Sequence, residues 1–328
     1  MKKVRIYLMI LIVALTGVFS GCDRQEVKND PDKINIVATD FAPYDFAKRT
    51  AGDAAEVSML LSPGEEAHSF EPTPKEMIQI QKCDVFVYTG GESDEWVSEI
   101  LEDLDHSITV VKLMDCVDLY EEETVEGMEA GDHEHGHEEE HEGEEEHEHE
   151  DRSGYDEHVW TAPENAIKIT RYLSEVFSKV DEKNQEVYET TAASYMKELK
   201  ELDQAFWDVV NHSKRKTLIF GDRFPVRYFV EEYGLEYYAA FPGCASDTEP
   251  NAKTVAFLID KVKEEEIPVV LHVELSNENM ADTICEDTGA KKRQFNACHN
   301  ISKEQFEAGV GYLDLMWENV EVLKEALN

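Results

Sequence analysis

Basic residues are scarce in this sequence. Thirty-one lysines and arginines stand against 72 aspartates and glutamates, a formal net charge of −41. That deficit excludes nucleic acid and anionic lipid as charge-driven partners and favours cations. Cysteine is also rare, six in 328 residues, and no pair has C-x-x-C spacing, so a thiolate zinc knuckle is excluded. The apolar run at residues 6–19 falls short of the ~20 residues a membrane helix needs. G-x-S-x-G and paired-carboxylate motifs are missing, which removes the commonest hydrolase signatures. At 41% hydrophobic, 328 residues can nonetheless bury two cores of about 100–150 residues each.

Lys2, Lys3 and Arg5 precede the apolar run, which closes on "FSGC", Phe19 to Cys22. The pattern reads as an export signal over residues 1–22. It resembles a bacterial lipoprotein signal in which Cys22 becomes the lipidated first residue, with Phe19 where Leu is usual. An ordinary signal with an incidental cysteine is the alternative. Residues 23–33 are polar and suit a tether. Five cysteines remain, Cys83, Cys116, Cys244, Cys285 and Cys298. They could form one bridge in each half with one thiol left over, or all be buried free thiols; both readings stay open.

Short β-branched segments alternate with helical spacing. "INIVATD", "AEVSMLL", "DVFVYTG" and "ITVVKL" predict four strands before residue 120, and "KTLIFGD", "LEYYAAF", "PVVLHVE" and "KKRQFNA" four after 215. The fold class expected is α/β: two lobes, each a mostly parallel sheet flanked by helices. Between them Tyr188, Ala192, Tyr195, Leu199, Leu202, Phe206 and Val209 recur every three or four residues. No Gly or Pro interrupts 183–212, so a rigid helix of ~45 Å at 1.5 Å per residue is expected there. The division is therefore an N-terminal lobe at 34–182, a linking helix at 183–212 and a C-terminal lobe at 213–328.

Residues 121–151 carry 17 acidic side chains and no lysine or arginine, and six histidines (His133, His135, His137, His141, His147 and His149) lie among them. "HEEEH" at 137–141 matches H-E-x-x-H. That motif needs an ordered helix to put two histidines on one face, and a tract with no apolar period cannot hold one down. Residues 121–152 are expected to be a disordered loop that binds zinc weakly and in many arrangements.

Three other histidines sit where a strand ends or a helix begins, the position at which α/β sheets present ligand groups. His68 lies in "SPGEEAHSFEPTPKEM", His158 in "YDEHVWTAPENA" and His299 in "FNACHNISKEQF". His106 and His212 read as solvated, and His272 as a satisfied core residue.

"PGEEAHSFEPTP" and "DEHVW" resemble two signature loops of the metal-binding lipoproteins that serve zinc and manganese ABC importers, P-G-x-x-P-H-x-F-E-P-T-P and D-P-H-x-W. The similarity covers nearly the whole chain after the signal, and the acidic His-rich loop before the second signature points to the zinc members. The resemblance implies two lobes joined by a rigid helix and closing on one metal ion, with His68 and His158 as the first two ligands. Arg223 in "FGDRFPVRYF" falls on the third-ligand position and cannot ligate a cation. His299 falls on the fourth, and Glu274 or Asp222 would complete the set.

Three imidazoles and a carboxylate suit Zn²⁺ over Mn²⁺, which prefers oxygen. The implied protein is a monomer, lipid-anchored through Cys22 at the outer face of the bacterial cell membrane, that passes zinc to an ABC permease with its ATPase. Two other functions compete. One is a zinc-dependent hydrolase with an open metal position; the other is a surface zinc buffer or adhesin without a transporter.

Overall fold

The computed structural model describes residues 32–101, 104–128, 154–244 and 251–328. Cys22 and the six loop histidines fall outside them. The first half supplies β1 (Ile34–Ala38), α1 (Phe41–Ala51), β2 (Ala55–Met59), α2 (Pro74–Ile80), β3 (Val85–Tyr88), α3 (Glu95–Leu101) and β4 (Thr109–Lys112). Then come α4 (Pro163–Val180) and α5 (Gln185–His212). The second half supplies β5 (Thr217–Phe224), α6 (Arg227–Tyr233), β6 (Glu236–Pro242), α7 (Ala252–Glu264), β7 (Val269–His272), α8 (Asn279–Thr288), β8 (Lys291–Gln294), α9 (Lys303–Ala308) and α10 (Tyr312–Ala326). Each of the eight expected strands is present.

The strands form two sheets, ordered β2-β1-β3-β4 and β6-β5-β7-β8, and every pairing is parallel. Parallel strands need covered faces, which is why β3 and β7 are buried throughout. In both sheets the chain order reverses beside the first strand, and loops at the carboxyl ends of the strands gather there.

Helix α5 is 28 residues long and runs unbroken. Its buried stripe is Tyr188, Ala192, Tyr195, Leu199, Leu202, Phe206 and Val210, so the last expected member, Val209, gives way to its neighbour. Four residues on from Phe206 brings the helix face round to Val210, and Val209 packs only partly. The helix rests on α4, α1 and α10. Tyr195 lies tilted against Phe46 at 6.4 Å between ring centres, and Phe46 in turn meets Tyr312 edge-on at 4.9 Å. Residues Lys33–Asn328, both sheets included, form one compact unit.

Two expectations change here. Residues 121–128 are not loose: Met128 is buried, Val125 packs on the core, and the carbonyl of Gly127 accepts the Thr254 hydroxyl. Glu121 bridges to Tyr155, which brings the two ends of the acidic tract together. The five cysteines Cys83, Cys116, Cys244, Cys285 and Cys298 are all free, which answers the question of bridges.

Candidate metal centre

The loop after β2 is held before it reaches His68. Leu60 and Leu61 extend the pairing with β1 by donating to the carbonyls of Ala38 and Thr39, each at 2.9 Å. From the second half, the amide of Asn300 donates to the carbonyls of Ser62 (2.9 Å) and Glu65 (2.8 Å). Beyond His68 the chain enters α2 through Thr73, whose hydroxyl accepts the Glu76 N–H while Glu76 reaches back. Pro74 occupies the first helical position, where a missing N–H costs nothing.

His158 is anchored from below. The carbonyl of Asp156 accepts the Tyr228 hydroxyl at 2.8 Å, and the Trp160 indole donates to the carbonyl of Ala297 at 2.7 Å. A single turn at Val159–Thr161 then leads into α4. His299 follows β8 and Cys298, which takes a left-handed φ of 61°. Glu274 stabilises that turn by accepting the N–H groups of Ala297 (2.6 Å) and His299 (3.0 Å). The carbonyl of His299 accepts the N–H of Phe41, so this loop is tied to the first half.

These loops bring His68, Glu157, His158 and His299 together, one donor atom from each lying within 4.8 Å of the others. The ring centres of His68 and His299 are 4.7 Å apart, those of His158 and His299 5.1 Å. A tetrahedral zinc with ligands at ~2.0–2.1 Å would space its donors roughly 3.3 Å apart, so modest side-chain contraction would complete the set. Among the described residues no other group of this kind occurs. The Nε2 atoms of His68, His158 and His299 are all buried and all lack a hydrogen-bond partner. Buried polar atoms are rarely left so, and three imidazole nitrogens orphaned at one point call for a shared cation.

The opposite ring nitrogens of two of these histidines are engaged. Asp156 lies 3.1 Å from Nδ1 of His158, and Glu66 lies 2.8 Å from Nδ1 of His68. A carboxylate at Nδ1 holds the proton there and leaves the Nε2 lone pair for a metal. Glu157 is fully buried and is held by the Ser93 N–H at 2.9 Å and by the Ser93 hydroxyl.

Charge follows this arrangement. Burial pushes His299 well below the ordinary imidazole value, and His68, His158 and Arg223 add to the effect. Burial would also lower His158, but the adjacent Asp156 carboxylate outweighs it and the net direction is upward. The hydrogen bond from His68, offset in part by burial, draws Glu66 down, and Arg223 draws it further.

Glu274 and Asp222 stand outside the group. Both carboxylates face backbone: Glu274 caps the His299 loop, and Asp222 accepts the N–H groups of Arg223 (2.8 Å) and Val273 (3.0 Å). Glu157 is the fourth member of the group. It escapes the signature pattern, because D-P-H-x-W has proline where "DEHVW" carries Glu157. His272 is buried with Nδ1 near the Val273 carbonyl, while His106 and His212 are exposed.

The fold and the site define a metal-binding class of α/β protein, its donor group assembled from loops of two parallel sheets. Residues 36–326 match the family described as zinc-uptake complex component A, periplasmic, and the chain belongs to that family. It is a family of substrate-binding proteins, not enzymes, which removes the hydrolase alternative. The zinc-binding lipoprotein AdcA of Streptococcus pneumoniae (strain ATCC BAA-255 / R6) is 32% identical over 99% of this chain, which spans 61% of that relative's length. The high-affinity zinc uptake system protein ZnuA of Bacillus subtilis (strain 168) is 31% identical, with 97% of each chain covered. The crystal structure of the Zn(II)-bound ZnuA-like domain of Streptococcus pneumoniae AdcA superposes with a TM-score of 0.71 at 28% identity, covering 90% of this chain and 99% of that one.

Proposed function

We propose that this chain captures Zn²⁺ outside the cytoplasmic membrane and delivers it to an ABC permease, acting as a monomer anchored through lipid on Cys22. His68, Glu157, His158 and His299 are the ligands. The observation that carries this reading is the convergence of three buried, unpartnered Nε2 atoms beside one buried carboxylate. Three nitrogens and one oxygen favour zinc over manganese. The division into lobes at 34–182 and 213–328 around the linking helix at 183–212 is part of the same proposal, because the first lobe carries His68, Glu157 and His158 and the second His299.

The test is a zinc titration of the full chain by calorimetry, with chelator competition to reach tight affinities. One tight site per chain is expected, and it should vanish when His68, His158 and His299 are replaced together by Ala. Survival of the tight site in that variant would overturn the assignment. Removing residues 131–151 should abolish only weak additional binding. That boundary spares Gly127 and Met128, which are packed.

A further inference from the structure

One wall of the candidate site is closed by charge. Arg223, near the end of β5 in the second sheet, forks onto Glu66 in the loop after β2 of the first. Nη1 lies 3.3 Å from Oε1 and Nη2 3.2 Å from Oε2. Exposed ion pairs contribute little, and Glu66 is 44% exposed, but the Arg223 side chain is only 11% exposed and the contact is two-pronged. Glu66 Oε1 also takes the Nδ1–H of His68. Arg223 Nη1 stands 3.5 Å from that nitrogen, which has no lone pair to offer once it bears the proton. Arg223 therefore acts on the His68 ring only through Glu66.

The exposures show where an ion would leave. Glu157 and His158 are wholly buried, whereas His68 is 11% and His299 9% exposed, so an ion would leave past these two. His68, Glu66, Arg223 and His299 line one cavity of about 30 Å³. An ion leaving past His68 needs that ring to swing aside, which means parting from Glu66 or carrying Glu66 away from Arg223. We propose that Arg223 and Glu66 form a latch across the mouth of this site, a positioning pair that fixes His68 and sets the rate at which a bound ion escapes. The latch rests on the zinc-site reading above.

The test is stopped-flow release of zinc from the loaded full chain into an excess of chromogenic chelator. Arg223→Ala should speed release about 10-fold, the lower end of what loss of a group supporting a ligand costs. Glu66→Ala should speed it more, since both the bridge and the His68 contact go. The double variant should be no faster than Glu66→Ala alone, because Arg223 works through Glu66. Arg223→Lys keeps the charge but not the fork, and should fall between wild type and Arg223→Ala.

Three outcomes overturn the latch: wild-type release in Arg223→Ala, a double variant faster by the full Arg223→Ala factor, or a lowered melting temperature of the metal-free protein without faster release. A wild-type chain that takes up no zinc overturns the site itself, and the latch with it.

Discussion

Oδ1 of Asp156 accepts the backbone N–H of His158 at 2.8 Å and lies 3.1 Å from Nδ1 of the same residue. One carboxylate thus sets both the chain direction and the ring tautomer of a proposed ligand, leaving Nε2 free to bind. Replacing Asp156 by Ala should weaken zinc binding by about 10–100-fold at unchanged stoichiometry. Asp156→Asn, which keeps an acceptor oxygen, should lose less. Competition against a chelator of known affinity checks both.

Glu157 is the only carboxylate of the donor group and is fully buried; among the described residues Ser93 hydrogen-bonds it and Nε2 of His68 lies 3.7 Å from its Oε1. An isolated buried carboxylate is costly, and a divalent cation beside it removes that cost. Glu157→Gln should therefore lower zinc affinity more than Asp156→Ala does, while the metal-free protein melts at a higher temperature than wild type. Calorimetric titration and thermal unfolding of the same sample measure the two effects together.

Much of this was legible in the sequence. The strands were readable because parallel sheets bury both faces and so demand unbroken runs such as "VFVY" and "VVLH". His68, His158 and His299 were readable because each stands in a loop next to a strand end or helix start. Glu157 was not. Consecutive residues in extended chain point to opposite sides, and the turn at His158 (φ −78°, ψ 45°) brings both side chains into one donor group. Glu274 and Asp222 carry the right chemistry, but backbone N–H groups face them, and that depends on tertiary packing. Val125 and Met128 were missed because two apolar residues make no period.

Glu274 offers an independent check on His299. Its two oxygens accept the N–H groups of Ala297 and His299, and burial pushes its pKa up despite those bonds. In Glu274→Gln the amide N–H₂ would face one of these donors and leave it unpaired. The expected cost is about 1–3 kcal/mol in the metal-free protein. Zinc affinity should fall as well, because the left-handed turn at Cys298 that presents His299 loses its brace. Urea unfolding followed by circular dichroism measures the first effect, and a chelator titration the second.

Asp40 gives stability a pH dependence that runs opposite to that of a salt-bridged acid. Its Oδ2 accepts the hydroxyls of Thr39 and Thr89, each at 3.1 Å, while Oδ1 is buried without a partner. Burial pushes its pKa up to about 7 from the ordinary 3.8, with the hydroxyls pulling down and Glu157 pushing up. Below 3.8 the group is protonated in both folded and unfolded chains and has no effect. Between 3.8 and about 7 the folded protein retains a proton that the unfolded chain has released, so stability falls as pH rises. Above that range the full penalty applies. Asp40→Asn cannot ionise, yet it keeps an oxygen for the two hydroxyls. The metal-free variant should therefore melt higher than wild type at about pH 8, and the gain should shrink to nothing near pH 4. A gain as large at the acid end would mean that Asp40 destabilises the fold by packing and not by charge.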